Sequence, residues 1–136
     1  MGQTVVGLAE ITLWSRDLEK SLAFYCDMFG LEPMDQPAGV KPRFLRAAAG
    51  ADGVPQMIVL VPHPDPSGAF PSDKPLRPLH HLAFTVGGAS YEQLLERCRA
   101  AGLEVRDGIH PVLTGVRTVY VDDPDGNEVE VISPSA

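Results

Sequence analysis

The chain has 136 residues, a formal net charge of −7 and an ordinary 44% share of hydrophobic residues, which together predict one globular domain. No apolar run is long enough to cross a membrane, and no cluster of Lys and Arg is present to neutralise the phosphates of a nucleic acid. The N-terminus has no basic region followed by an apolar stretch, so we expect no signal peptide and a cytoplasmic protein.

The first half of the chain predicts a strand, a helix and at least two further strands. The strand is Leu8–Trp14, and Asp17 is a plausible N-cap for the helix that follows. The apolar face of this helix comprises Leu18, Leu22, Tyr25 and Phe29. Strands are then predicted at Arg43–Ala47 and Gln56–Val61, while a third strand of this half is hard to place.

The second half repeats this order after Pro62–Pro78, a Pro-, Gly-, Ser- and Asp-rich segment that reads as a linker. A strand is predicted at Leu79–Val86, and Ser90 begins a capping-box pattern that opens a helix. The inward face of that helix comprises Tyr91, Leu94, Leu95 and Cys98. The helix then ends in Gly-Leu-Glu, as the first one does, and Gly30 and Gly102 stand where a left-handed backbone is needed. Both cysteines of the chain fall in the two helices, where we expect free thiols.

The chain ends in a predicted hairpin, preceded by a short strand at Glu104–Arg106. The hairpin strands are Val116–Val121 and Glu128–Ile132, joined by Pro-Asp-Gly-Asn, which is strong turn chemistry. Asp123 and Asp125 are expected to serve this turn. Glu130 lies in the middle of the returning strand, where a packed sheet favours an apolar residue, and it therefore needs an explanation.

These elements predict an α+β fold with two βαβββ modules in a single domain, 1–136. Module one covers about 5–62, the linker 62–78 and module two about 79–133. Each half-sheet is too small to bury its inner face alone. We therefore expect the modules to pair into an open, barrel-like mixed sheet that encloses a metal or substrate cavity.

The strand faces predict a metal site. Glu10 shares a face with Thr12 and Trp14, and His81 shares one with Thr85 at the matching place of the second module. With Glu130 on a neighbouring strand, two carboxylates and an imidazole would converge. Two carboxylates this close together are costly unless a positive charge lies between them, and this ligand set suits divalent Fe, Mn, Zn or Ni.

These residues resemble the vicinal oxygen chelate superfamily, which includes glyoxalase I, bleomycin resistance proteins and extradiol dioxygenases. The resemblance covers nearly the whole chain. Its marks are the stretch from Glu10 to Leu31, the His81-Leu-Ala-Phe segment, and the Asp123-Pro-Asp-Gly-Asn turn with Glu130. By this resemblance the metal ligands are Glu10, His81 and Glu130, although the first position is often His in metal-dependent members, and the ion is Fe(II), with Zn, Ni, Mn or Co as alternatives.

Within the superfamily, the C-terminal segment resembles extradiol dioxygenases. By that resemblance Tyr120 and His110 are catalytic residues that line the pocket and hydrogen-bond the substrate or bound oxygen. The His80-His81 doublet resembles the sequence around the second metal ligand of that family. Trp14, Thr12 and Thr85 are the substrate-binding candidates. The plainer interpretations are that Trp14 packs in the core, that His110 is a surface residue and that His80 faces away from the cavity. His63 is interpreted as a linker residue.

Three functions remain open from the sequence: an extradiol-type dioxygenase, a metal-dependent lyase or isomerase that stabilises an enediolate, and a metal-free binding protein of the bleomycin-resistance kind. A glyoxalase-type site has a fourth ligand where Val59 stands here. In each case the partner is a small molecule, with no nucleic acid and no membrane. The resemblance also implies a homodimer.

Overall fold

The structure is a computed structural model that describes residue 2 and residues 4–135. By its internal contacts the chain divides into two compact units, Met1–Gly68 and Ala69–Ala136. Within the described residues, each unit contains one four-stranded mixed sheet and few helices, and neither sheet closes on itself. The predicted α+β class is therefore confirmed, together with its two βαβββ modules.

The first unit contains one mixed sheet and one helical segment. Its elements are β1 (Glu10–Ser15), α1 (Leu18–Leu22) continued by a π-helical segment (Ala23–Met28), β2 (Glu32–Pro33), β3 (Arg43–Ala51) and β4 (Val54–Pro62). The strand order is β1-β4-β3-β2, with β1 parallel to β4 and the other pairs antiparallel. The strand that the sequence did not reveal is β2, whose two residues, one of them a proline, carry too little periodicity to read.

The first helix begins as predicted but buries a different face. The Asp17 side chain accepts a hydrogen bond from the Lys20 amide, which confirms the N-cap. Ser21, Phe24 and Tyr25 are buried, whereas Leu22 and Phe29 are only half-buried. The expected face assumed 3.6 residues per turn, and the wider π-helical segment after Leu22 rotates Phe24 inward.

The second unit repeats the topology of the first. Its elements are β5 (Leu82–Thr85), α2 (Gly88–Ala100), β6 (Arg106–Gly108), β7 (Val116–Asp122) and β8 (Glu128–Pro134), preceded by a single 3₁₀ turn (Lys74–Leu76). The strand order is β5-β8-β7-β6, again with the first strand parallel to the last. The internal repeat read from the sequence is thus a repeat of structure.

The second helix confirms one prediction and corrects another. Tyr91, Leu94, Leu95 and Cys98 are buried, as expected. The capping box is wrong, because Gly87 is the N-cap, no side chain caps the helix, and Ser90 already lies inside it. Glycine is an acceptable N-cap residue, so the helix can begin after Gly87 without a side-chain cap.

The shared helix endings and the cysteines behave as predicted. Gly30 and Gly102 have φ angles of 72° and 80°, the left-handed conformation expected after each helix. Cys26 and Cys98 are free, and burial raises the pKa of both thiols. Among the residues that the structure describes, no helix is both long and apolar enough to cross a membrane.

Candidate functional site

Strand β8 lies between β5 and β7 and brings three predicted residues of the second unit together. Glu130 pairs in register with Tyr120 on β7 and with Ala83 on β5. His81 immediately precedes β5, and its ring lies against the Glu130 carboxylate. The three side chains of this His81–Tyr120–Glu130 cluster therefore meet because of the strand order.

The Glu130 carboxylate is the centre of the cluster. Its Oε1 lies 3.2 Å from His81 Nε2, and its Oε2 accepts a hydrogen bond of 3.1 Å from the Tyr120 hydroxyl. The rings of His81 and Tyr120 meet edge to face, with their centroids 6.0 Å apart. Only 5% of the Glu130 side chain is exposed, against 33% for His81, so the carboxylate is buried and the imidazole is reachable.

The buried carboxylate has no permanent cation beside it within the described part of the chain. Its polar partners there are an imidazole and a phenol, and a buried carboxylate is costly unless a positive charge or strong donors compensate it. Burial raises the pKa of Tyr120, and its hydrogen bond to Glu130 and the negative charges of Glu130 and Glu128 raise it further. Tyr120 therefore remains a hydrogen-bond donor at neutral pH.

Glu128, the neighbouring acid on the same face of β8, is neutralised by two cations. It accepts hydrogen bonds from Lys74 and, at 3.1 Å, from Arg106, which also donates to Asp122 at 2.7 Å. Burial by itself would raise the pKa of Glu128, but the bonds from Lys74 and Arg106 outweigh it and lower that pKa. The two acids of β8 thus have different environments.

His80 corrects a prediction. It was predicted to face away from the cavity, on the side of the strand opposite His81, but its ring contacts that of His81: the two Nδ1 atoms lie 2.7 Å apart, and the ring planes meet at 68°. His80, His81 and Glu128 together offer ligand atoms within 4.8 Å of one another and could hold a metal ion. The prediction relied on strict strand alternation, which does not apply to His80 and His81 because β5 begins only at Leu82.

Two groupings could therefore receive a divalent ion, one through Glu130 and one through Glu128. His81 Nε2 and Glu130 Oε1 lie 3.2 Å apart, close enough for both atoms to contact one divalent ion. Glu128 would have to give up two charged hydrogen bonds in order to coordinate. The donor chemistry therefore fits a metal better at His81 and Glu130.

The predicted residues of the first unit lie on the exposed face of β1. The Thr12 hydroxyl donates to Glu10 Oε2 at 2.9 Å, so these two share a face as predicted. Trp14 is 53% exposed, which contradicts core packing, and its ring meets the edge of His63 at a centroid distance of 5.3 Å. Val59, at the place of a fourth ligand, is buried. Glu10 as a metal ligand stays a prediction, as do substrate contacts of Thr12 and Trp14.

The remaining predicted residues lie elsewhere in the second unit. His110 is in the loop between β6 and β7, where its Nδ1 accepts the amides of Val112 and Leu113 at 3.2 and 2.9 Å. This ring organises its own loop, and a catalytic role for it stays a prediction. Thr85 is exposed on β5 opposite Ile132, and its contact with substrate also stays a prediction.

The Pro-Asp-Gly-Asn turn is organised by Asp123, as expected. The buried Asp123 carboxylate accepts the amides of Asp125 and Asn127 at 2.9 and 2.8 Å and the Asn127 side chain at 3.0 Å. This arrangement fixes the point at which β8 begins, and hence the register that places Glu130 opposite Tyr120.

Sequence reasoning missed the polar cavity beside the cluster. It has a volume of about 350 Å³ and is lined by Ser72, Lys74, Arg77, His80, Glu104, Arg106, Asp122, Gly126 and Glu128. Arg77 donates to the carbonyl of Asp125 and to the Asn127 side chain, so it fastens the predicted linker to the turn. Nothing in the linker's composition distinguishes Lys74 and Arg77 from solvated charges.

The sequence profile of the Glyoxalase/Bleomycin resistance protein/Dioxygenase superfamily matches residues 7–131. The chain therefore belongs to this superfamily. The match covers both modules and includes the whole of the His81–Tyr120–Glu130 cluster. It confirms the family predicted from the motifs, whose members bind small-molecule substrates and typically bind a divalent metal.

Individual relatives support the fold. Catechol-2,3-dioxygenase from Bacillus subtilis (strain 168) is 29% identical over 133 residues, which are 94% of this chain but only 41% of that protein. The chain thus spans less than half the length of this curated relative. A glyoxalase/dioxygenase structure from Nostoc punctiforme superposes with a TM-score of 0.73 at 22% identity, over 95% of this chain and 91% of that one. Lactoylglutathione lyase from Agrobacterium tumefaciens does so with 0.64 at 26% identity, over 96% of each chain.

Proposed function

We propose that this chain is a metal-dependent enzyme that cleaves the ring of a catechol-type diol, an extradiol-type dioxygenase. The single observation that carries the proposal is the buried Glu130 carboxylate, held between His81 and Tyr120 at 3.2 and 3.1 Å. The imidazole and the carboxylate supply two metal ligands, and the phenol on the other side of the carboxylate supplies a proton donor. The similarity to a catechol-2,3-dioxygenase supports the same reaction class.

In this proposal His81 would bind the ion through Nε2 and Glu130 through Oε1. Fe(II) is favoured, and Zn, Ni, Mn or Co are alternatives. When bound, such an ion holds two vicinal oxygens of a substrate side by side and polarises them, and iron also reacts with O2.

Tyr120 has two tasks in this proposal. Its hydroxyl holds Glu130 Oε2, so the carboxylate presents Oε1 on the His81 side. The raised pKa of Tyr120 keeps the proton on the phenol, so the same hydroxyl can donate a hydrogen bond to a substrate oxygen when one arrives. The loss of this donor should reduce turnover without removing the metal.

The test is anaerobic loading with Fe(II), followed by exposure to a panel of catechols in the presence of O2. The proposal predicts a coloured ring-fission product from at least one diol with wild-type protein and none with Glu130→Gln. Absence of a product from every diol, in protein that holds iron stoichiometrically, would contradict the dioxygenase assignment.

A lyase or isomerase is the second candidate, and one feature favours it. Glu10 is a carboxylate on an exposed strand face, where it could move a proton while a redox-inert metal stabilises an enediolate. The lactoylglutathione lyase from Agrobacterium tumefaciens shares the fold. Turnover of a 2-oxoaldehyde hemithioacetal by Zn- or Ni-loaded protein, with no catechol activity, would establish this candidate.

If neither enzymatic activity is found, the remaining candidate is a metal-free binding protein. The exposed indole of Trp14 offers a flat surface for a ring-shaped ligand. In that case the protein would bind a drug-like aromatic ligand equally well with Glu or Gln at position 130.

A homodimer remains part of the proposal, and light scattering of the purified protein measures its oligomeric state.

A further inference from the structure

The geometry points to His80 as a positioning residue: we infer that its ring sets the tautomer of His81, and thereby the ability of His81 to bind a metal. This inference rests on the proposed metal site at His81 and Glu130. The observation behind it is the contact between the two Nδ1 atoms, 2.7 Å apart, on rings that meet at 68°. A separation this short between two ring nitrogens needs one proton between them.

The direction of this hydrogen bond depends on which nitrogen of His81 carries its proton. An imidazole binds a metal through a nitrogen with a free lone pair, so a metal at Nε2 requires the proton on Nδ1. His81 Nδ1–H then donates to His80 Nδ1, which must be unprotonated. Metal-binding histidines commonly donate their second N–H to a carboxylate, carbonyl or water, and here the acceptor is a second imidazole.

The metal-free protein favours the opposite direction. His81 Nε2 lies 3.2 Å from Glu130 Oε1, and an N–H at this position donates to the carboxylate. His81 Nδ1 is then the acceptor, and His80 Nδ1–H is the donor. The two arrangements differ in which ring nitrogen carries the shared proton.

Metal binding therefore reverses the hydrogen bond. The proton on His81 Nε2 leaves to water, the proton between the rings passes from His80 to His81, and His80 Nε2 takes a proton from water. His80 is exposed, so this last exchange is open to solvent. The sum is balanced, with one proton released and one taken up.

His80 acts here as a neighbour of the ligand and not as a ligand. The alternative is that His80 binds the same ion as His81 and Glu128. Glu128 is already held by Lys74 and Arg106, which disfavours that grouping. The two alternatives differ in what happens to His80 when the metal arrives, so spectroscopy separates them.

The experiment uses the full chain labelled with ¹⁵N on histidine and Zn²⁺ as a diamagnetic probe. Long-range ¹H–¹⁵N spectra report which nitrogen of each ring carries hydrogen. We expect Nε2–H on His81 and Nδ1–H on His80 without metal, and the reverse on both rings with Zn²⁺. Inversion of His81 without inversion of His80 would overturn the inference, and so would a metal-bound nitrogen on His80.

Two variants add an affinity readout. In His80→Phe the hydrogen bond is lost, and Zn²⁺ affinity measured by competition with a fluorescent chelator should fall about 10- to 100-fold. In His80→Asn an amide stands near the former Nδ1 and can donate or accept, so affinity should stay within about threefold of wild type. Equal affinity in all three proteins overturns the inference and leaves the proposed metal site intact. A wild-type protein that binds no Zn²⁺ overturns both.

Discussion

Replacing Glu128 by Gln distinguishes the roles of the two acids of β8, because the change keeps the shape of the side chain but removes its charge and turns one of its two acceptor oxygens into a donor. Glu128 is held by Lys74 and Arg106, and its side chain is 23% exposed, against 38% for Lys74 and 30% for Arg106. A buried hydrogen bond to a charged group is worth about 1.5 to 3 kcal/mol. Partial exposure screens these contacts, so we expect a loss of about 1 to 2 kcal/mol in the free energy of unfolding.

The lowered pKa of Glu128 also predicts how the stability difference depends on pH. The pKa of Glu128 is lowered in the folded protein from its ordinary value of 4.5. Its stabilising contribution is therefore complete above pH 4.5, the unfolded value, and is lost as the pH falls through the lower folded value. Urea unfolding of wild type and Glu128→Gln should differ at pH 7 and converge as the solution is made more acidic than pH 4.5.

Metal binding completes the test. Because Glu128 is already paired, Glu128→Gln should keep the metal affinity of wild type, whereas Lys74→Met should reproduce much of its stability loss. Two results would refute the reasoning: a stability difference that persists unchanged in acid, or a loss of metal as complete in Glu128→Gln as in Glu130→Gln. The second result would mean that the ion is held by His80, His81 and Glu128.

Three further predictions concern the surroundings of the cluster. Tyr120→Phe should retain metal but lower kcat/KM on a diol substrate about 100-fold or more, because a proton donor is lost; unchanged turnover would remove Tyr120 from the mechanism. In Gly108→Ala the new Cβ would lie 2.3 Å from the Tyr120 ring, so the free energy of unfolding in urea should fall by about 1 to 3 kcal/mol. Gly88→Ala is the control, because the nearest atom to its Cβ lies 3.9 Å away, and it should cause no such loss. Asp123→Ala removes three hydrogen bonds from the turn and should lower the free energy of unfolding by about 3 kcal/mol or more. Asp35→Ala, on the exposed surface, is the control and should change it by less than about 0.5 kcal/mol.

The sequence predicted the features that depend on local patterns. The repeated order of elements, the helix-ending glycines and the Asp123 turn all follow from short-range residue preferences. The meeting of His81, Tyr120 and Glu130 was also within reach, because strand alternation and hairpin register decide which residues share a face. The short β2 and the π-helical segment were missed, since neither has a periodicity that sequence can reveal.

Long-range contacts of irregular segments could not be predicted. Lys74 reaches Glu128 across more than fifty positions of the chain, from a segment that reads as a linker. His80 contacts His81 because the chain before Leu82 is not in strand conformation. Such contacts depend on the path of the backbone outside regular elements, where no period assigns a side chain to a face.

The most direct test of the central claim is the metal content of the protein, measured by elemental mass spectrometry on wild type and Glu130→Gln purified without affinity tag or chelator. The proposed site predicts close to one divalent ion per wild-type chain and none in the variant, and the identity of the ion would then separate iron-dependent oxygenation from a redox-inert lyase or isomerase. No metal in either protein after anaerobic reloading, or equal metal in both, would contradict a site built on His81 and Glu130.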